Sequence, residues 1–359
     1  MFKKSFITRT FIYAGAVLIL NSCTKTETVP ALPYDSGVFI INAGNFFDNN
    51  GSLSLIQRDS KTAAIDIFMK ENNRSFAGGV TDYTEVDGKG IVLVDNSTDG
   101  SDAIEIVDAR TFKTIASIKG EIDNPRKVIK VASNKAYITC WDTFNPDYSY
   151  KTGFVAVLDL TTNKITKKIP VDKGAESIIL IGNNAYVGNV GSQKTIKVID
   201  TQKDEVTTSI EVGANPSNFV LDAANKIWMV AGKEIILFNP ISKIIETKLK
   251  GGTNTQKSPS NLSISSDKKT LYYNYNFYDA ADGYKLKGEI NAMDITSGTS
   301  KTFINRTFAA VGYDSKSNQV YTTLIPSYKQ AGYVFRFKTT GEIIDSVKVE
   351  IAPNSFFFK

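Results

Sequence analysis

One short pattern returns seven times along this 359-residue chain: five extended, mostly apolar residues closing on Asp, Asn or a basic side chain. The copies span residues 54–58, 104–108, 155–159, 196–200, 235–239, 290–294 and 334–338, and end in Arg58, Asp108, Asp159, Asp200, Asn239, Asp294 and Lys338. Their last positions lie 50, 51, 41, 39, 55 and 44 residues apart. A polar turn and another extended run follow each copy, as at 111–118 and 205–210. A pair of runs precedes most copies: 125–129 with 136–139, 175–179 with 185–188, 216–220 with 227–230, and 259–263 with 271–273. Four short strands per repeat, rich in Val, Ile, Tyr and Thr and without helical spacing of apolar residues, predict an all-β protein built as a propeller of four-stranded antiparallel blades.

The two ends of the repeat array are complementary. Residues 37–42 read as a second strand, and residues 352–359 read as a first strand. The C-terminal run is therefore expected to supply the inner strand of the blade whose other strands lie at the N-terminal end. That closes a seven-bladed ring and leaves no open sheet edge. A two-sheet sandwich would not produce complementary half-blades.

The N-terminal end reads as a processing signal rather than as part of the fold. Lys3, Lys4 and Arg9 form a basic region, followed by an apolar run from Phe11 to Leu20 that is too short to span a bilayer as a helix. The run ends in Leu20-Asn21-Ser22-Cys23, which resembles a bacterial lipobox and makes Cys23 the expected lipid attachment site. The expected organisation is a signal peptide (1–22), a lipidated polar tether (23–33) and the propeller (34–359). Acyl chains would hold the protein at a membrane without spanning it.

Charge and composition exclude several chemistries. With 42 basic and 37 acidic residues, less the three basic residues of the signal, the mature net charge is only 39 − 37 = +2, and no basic block marks a nucleic-acid partner. The chain has no histidine, which removes His-based acid–base catalysis, the Ser-His-Asp and Cys-His nucleophile systems, and most catalytic zinc geometries. Cys23 and Cys140 are the only cysteines, so lipidation of Cys23 leaves Cys140 without an intrachain partner. Cys140 reads as a small packed residue. Residues 95–102 place oxygen ligands at alternate positions with Gly100 at the sixth, but Ile106 stands where a calcium loop needs its bidentate acid. An Asx-rich turn is the better reading, and neither metal nor cofactor is expected.

The repeat Pro-x-x-hydrophobic, then Ala-Tyr-Val, then Val-x-Val-Ile-Asp-x-x-Thr resembles the YVTN/YncE-like propellers along the whole of 34–359. Residues 37–46, followed by 50–54, further resemble the opening of a Bacteroidota surface-lipoprotein group that includes the BtuG-type cobalamin-binding propellers. Ala43 stands where that group usually carries an acidic residue. The resemblance implies an outer-membrane, cell-surface lipoprotein that captures a ligand, cobalamin or another corrinoid, for a TonB-dependent transporter.

Long connections between second and third strands are expected at 42–51, 95–102, 140–153, 189–194, 274–288 and 326–332, against a minimal turn at 231–233. Three of them concentrate aromatic side chains, which suit flat ligands. The candidate contacts are Phe46 and Phe47; Trp141, Phe144, Tyr148 and Tyr150; and Tyr275, Phe277, Tyr278 and Tyr284. A polar ring of Asp82, Arg126, Glu176, Asn218, Asn261 and Asn354 is expected at the channel mouth, with Arg126 and Glu176 close enough for an ion pair. Two alternatives to capture of a corrinoid remain open. One is a propeller that binds a glycan or a protein; the other is a propeller enzyme such as a lyase or lactonase.

Overall fold

The computed structural model describes residues 1–2 and 31–359. The signal and most of the tether, including the expected lipid site Cys23, lie outside the described residues. No described helix is long and apolar enough to cross a membrane. Leu32–Lys359 forms one compact unit.

Seven four-stranded antiparallel sheets make up the chain. Blade 1 orders as Pro353–Phe358, Val38–Asn42, Ser52–Ile56 and Ala63–Ala64 from inner to outer strand, so its inner strand comes from the C-terminal end. Val38 pairs with Phe358, Phe39 with Phe357 and Ile40 with Phe356. Blades 2 to 7 follow in chain order, their inner strands being Gly79–Val86, Pro125–Ala132, Ala175–Ile181, Ser217–Leu221, Ser258–Ile264 and Ala310–Asp314. The seven-bladed ring closed by the C-terminal strand is thus the observed architecture.

The recurring five-residue runs are the third strands, and their terminal Asp or Asn has a local job. Its side chain accepts backbone N–H groups two and three residues on: Asp108 from Arg110 and Thr111, Asp200 from Gln202 and Lys203, Asp294 from Thr296 and Ser297. The residue four positions on then takes a left-handed conformation, as at Asn163 (φ 55°), Asp204 (φ 55°) and Gly298 (φ 68°). This Asx turn feeds the outer strand, so the repeat's most visible polar residue is turn chemistry and not a site.

Middle strands are buried along most of their length, and wholly so in Val38–Asn42 and Ile227–Ala231. Outer strands alternate, as in Ile244–Lys250. Neighbouring blades cover both faces of the middle strands, which explains their unbroken apolar runs. Hydrophobic clusters lie between successive blades rather than in one central core.

Two elements differ from expectation. A short helix, Ile67–Asn72, sits between the outer strand of blade 1 and the inner strand of blade 2. Asp66 accepts the Met69 N–H at its start, and buried Ile67 and Phe68 join the hydrophobic cluster between blades 1 and 2, with Phe68 stacked on Phe76 at 3.9 Å. The segment 274–288 is not a loop. Its residues extend two ladder-paired strands, Thr270–Asp279 and Lys285–Asp294, joined by the 3₁₀ turn Ala280–Asp282. The alternating Tyr and Phe of 272–278 are strand residues, and β-propensity carries the hairpin beyond the length of the other blades.

Candidate ligand-binding face

The channel mouth is made by irregularities in the inner strands. Pairing between inner and second strands slips between Val80 and Asp82, Pro125 and Lys127, Ala175 and Ile178, Ser217 and Val220, and Ser260 and Ser263. Blade 1 slips in the same way around Asn354. Each bulge turns one or two side chains into the channel instead of into the interblade core. The residues presented include Thr81, Arg126, Glu176, Asn218, Asn261 and Asn354, around a cavity of about 590 Å³.

One expected member of this ring is displaced. Asp82 follows the bulge, and Thr81 takes the channel position. The Asp82 carboxylate instead accepts the Val128 N–H at 2.9 Å and lies 3.2 Å from Lys127 Nζ, bracing blade 2 against blade 3. A one-residue slip reverses the face of a side chain, and nothing in the linear sequence marks where it falls. Asn218 and Asn261 are also partly consumed by bracing. Ser177 Oγ accepts the Asn218 N–H at 2.8 Å, Asn218 Oδ1 accepts the Asn261 N–H at 3.0 Å, and Asn261 Nδ2 donates to the Ala309 carbonyl at 2.9 Å. Both asparagines adopt positive φ there, a conformation Asn tolerates better than most residues.

Arg126 links the channel to the loops above it. Its Nε donates to Glu176 at 3.2 Å, its Nη1 lies 3.6 Å from Asp95, and its guanidinium sits 4.0 Å from the Trp141 ring centre. Burial pushes the Asp95 carboxyl up to about 6 against the opposing pull of Arg126. Burial likewise pushes Asp102 up to about 7, although Asp102 accepts the Asn96 and Asn124 backbone N–H groups. These bonds, with the Thr98 N–H on Asn96 Oδ1, hold the 95–102 segment as an Asx-rich turn. No cluster of three or more metal-ligating side chains occurs among the described residues. Cys140 is buried, and burial pushes its thiol well above the ordinary range.

The aromatic candidates divide into braces and free rings. Trp141 lies edge-on to Tyr150 at 5.2 Å and to Phe144 at 6.3 Å, while Phe144 and Tyr150 bridge their own loop. Those three rings stiffen the 140–153 connection; only Tyr148, 86% exposed, stands clear of it. Tyr275 is buried, donates to the Asn254 carbonyl at 2.6 Å, and lies where any Cβ on Gly252 would meet its ring at 2.5 Å. Tyr275 therefore belongs to the blade and not to the face.

The blade 1 loop behaves differently. Asn50 Oδ1 accepts the Asn45 N–H at 2.6 Å, Asn45 Nδ2 donates to the Tyr328 carbonyl at 3.2 Å, and Asn49 Nδ2 donates to Ser97 at 2.8 Å. The loop is thereby pinned to blades 7 and 2, yet Phe46 is exposed and Phe47 is 83% exposed. Among the described residues they form an aromatic pair only with each other, at 5.4 Å. Beneath them lies a cavity of about 440 Å³, to which Asp95, Arg126, Asn354 and Tyr328 contribute. Asp95 Oδ1, Thr81 Oγ1 and Asn354 Oδ1 have no hydrogen-bond partner among the described residues. Tyr328 is not among the aromatic contacts that the sequence suggests, although it stands in the long 326–332 connection. A third cavity, about 870 Å³, lies beside the blade 6 hairpin, where Phe277 and Tyr278 line it and Tyr284 projects from the hairpin turn.

Comparison with known proteins bears on the fold and not on this face. The family described as "Domain of unknown function (DUF5074)" matches residues 36–359. No curated protein matches the chain. Among solved structures, it is similar to a quinonprotein alcohol dehydrogenase-like protein from Bacteroides thetaiotaomicron, at 15% identity and a TM-score of 0.67, covering 90% of this chain and 78% of that one. It is similar to Kuenenia stuttgartiensis hydrazine synthase at 14% identity and a TM-score of 0.56, covering 71% and 76%. A computationally designed protein, Ika8, aligns over 88% of both chains at 11% identity and a TM-score of 0.56.

Proposed function

We propose that this chain, which belongs to the family described as Domain of unknown function (DUF5074), is a binding protein that captures a small ligand on the loop face of its propeller, without catalysing a reaction. The observation that carries this reading is the pair Phe46 and Phe47, held out over a cavity that Thr81, Asp95, Arg126 and Asn354 help to line, by a loop pinned to two other blades. Rings that braced the loop would be packed against it, as Trp141 is. A preorganised platform lowers the ordering cost of binding, and large apolar rings left in water favour a partner surface. The absence of histidine and the engagement of Glu176 by Arg126 and of Asp82 by Lys127 favour binding over acid–base chemistry.

Resemblance to the corrinoid-binding surface propellers makes a corrinoid the leading ligand, with a flat ring for the phenylalanines and side-chain amides for Asp95, Arg126 and Asn354. Delivery to a TonB-dependent outer-membrane transporter completes the reading. Calorimetry of the full chain in detergent against cobalamin and cobinamide tests it. Phe47→Ala should weaken binding by about 0.5–1.5 kcal/mol beyond the lost contact area, while leaving stability within about 0.5 kcal/mol. No corrinoid binding, or a variant that melts early and binds normally, refutes the assignment.

Anchoring rests on the lipobox-like Leu20 to Cys23. Cys23→Ala is expected to move the protein from the detergent phase to the aqueous phase, or to leave it unprocessed. A mature variant that still partitions into detergent removes the lipid anchor from the reading.

A further inference from the structure

We infer that the cavity beside the blade 6 hairpin is a carbohydrate-binding subsite for neutral sugars, separate from the platform over the blade 1 loop. This goes beyond the corrinoid reading and shares with it only the loop face.

The first observation is the architecture. In blade 6 the second and third strands each run ten residues, where the second and third strands of other blades run five to eight. The extension departs from the repeat, and beyond the buried Tyr275 its tip stands clear of the interblade core, with Tyr278 and Tyr284 69% and 71% exposed. Lys287 holds the turn by pairing with Asp279 at 2.8 Å and Asp282 at 3.0 Å, so Tyr278 stands on a rigid ladder, opposite Leu286.

The second observation is unsatisfied hydrogen bonding. Asn274, 99% buried, and Asn276 both line the cavity and both donate Nδ2 to the Phe308 carbonyl, at 2.6 and 3.3 Å. Their Oδ1 atoms have no partner among the described residues. A buried acceptor costs about 1–3 kcal/mol unless a water or a ligand supplies the donor, and these two stand together at the cavity wall. Gln256, Ser258, Ser260 and Asn261 add neutral donors and acceptors around them.

The third observation is charge. Among the described residues Asp279 is the one charged residue lining this cavity, and Lys287 pairs with it. Neutral amides and hydroxyls beneath an exposed tyrosine match the chemistry of a pyranose. Its equatorial hydroxyls donate to amide oxygens, and its axial C–H face packs on an aromatic ring. A volume of about 870 Å³ holds a disaccharide.

Saturation-transfer NMR and titration of the full chain in detergent, with lactose, maltose and N,N′-diacetylchitobiose as probes and digalacturonate as the charged contrast, tests the subsite. At least one neutral disaccharide is expected to bind, and digalacturonate is expected to bind more weakly. Tyr278→Ala should lower the sugar affinity roughly 2- to 12-fold, from the value of an aromatic contact. Asn276→Leu, which keeps volume and removes the acceptor together with the long 3.3 Å bond to a Phe308 carbonyl that Asn274 still satisfies, should lower it by a similar factor. Both variants should melt as the parent does and keep any corrinoid binding, whereas Phe47→Ala should leave sugar binding intact. The inference is overturned if none of the three neutral disaccharides binds at millimolar concentration, or if sugar binding survives both hairpin variants unchanged.

Discussion

Deleting residues 352–359 is expected to abolish cooperative folding. The lost strand, Pro353–Phe358, is the inner strand of blade 1, so the deletion strips the ladder partner from Val38–Asn42. Phe356 and Phe358 pack on Tyr321 at 6.0 and 5.5 Å, and Phe357 on Tyr83 at 5.1 Å, so both interfaces of blade 1 lose aromatic contact. The three rings are partly buried, so each contributes less than the about 1.5–3 kcal/mol of full burial, but with the lost ladder their sum is a large share of the about 5–15 kcal/mol of an ordinary domain. The exposed edge of Val38–Asn42, entirely apolar up to Asn42, is then a template for association. Size-exclusion chromatography and thermal melting should show aggregates and no sharp transition. Adding the missing segment as a peptide should recover part of the monomer. A truncated protein that elutes as a monomer with an unchanged Tm would contradict the assigned role of this strand.

Arg58→Ala is expected to be the most damaging single substitution outside the cores, at about 3–5 kcal/mol. Arg58 donates Nε and Nη2 to the two Asp314 oxygens at 2.7 and 3.0 Å and Nη1 to the Lys359 carbonyl at 2.9 Å. Arg336, from blade 7, in turn donates to the Arg58 and Ser60 carbonyls at 2.7 and 2.8 Å. Three chain segments that meet only when the ring closes are thus held by one side chain. The Asp314 side chain is 0% exposed, so its removal leaves a buried carboxylate without its ion-pair partner. Arg58→Lys should recover little, because a single ammonium cannot reproduce the bidentate fork.

The pH dependence separates this account from simple lost packing. Burial pushes the Asp314 carboxyl up, but hydrogen bonds from Arg58 and Ser317 hold it below the ordinary value of 3.8. A carboxyl depressed in the fold contributes stability above that value and loses it on acidification. In Arg58→Ala the burial effect is no longer opposed by Arg58, so the carboxyl rises and protonation relieves it. The stability deficit of the variant, measured by denaturant titration, should therefore shrink as the pH falls from 7 toward 4. A deficit that stays constant over that range would mean that Arg58 acts through packing alone. Asp314→Asn in the Arg58→Ala background should also recover part of the loss.

The repeat's own exceptions mark this clasp. Five of the seven third strands end in Asp or Asn and use it to turn the chain. The two that do not belong to blades 1 and 7, which flank the closure: Ser52–Ile56 runs into the turn that carries Arg58, and Ala331–Lys338 ends in Lys338. The departure was visible in the sequence, but its partner was not: Asp314 lies 256 residues away. The same limit governs the face. Phe47, Trp141 and Tyr275 are all aromatic residues in or beside predicted connections, and no local pattern sorts them. Phe47 is free because Asn45 and Asn49 tie its loop to distant blades; Trp141 is a brace because Arg126 and Tyr150 close on it; Tyr275 is core because its strand continues past the expected end.

Blade number, ring closure and the turns between third and outer strands were therefore set by the sequence itself. Each depends on a period of alternating burial or on a side chain bonding to backbone two or three residues away, and such interactions act within one repeat. Which residues face the channel, which rings stay free and which amides lack partners was decided by tertiary structure. A one-residue bulge moved Asp82 out of the channel and Thr81 into it, and contacts between blades settled the rest. Side chains tens to hundreds of residues apart compete there for the same space and the same donors, and that competition exists only once the ring has closed.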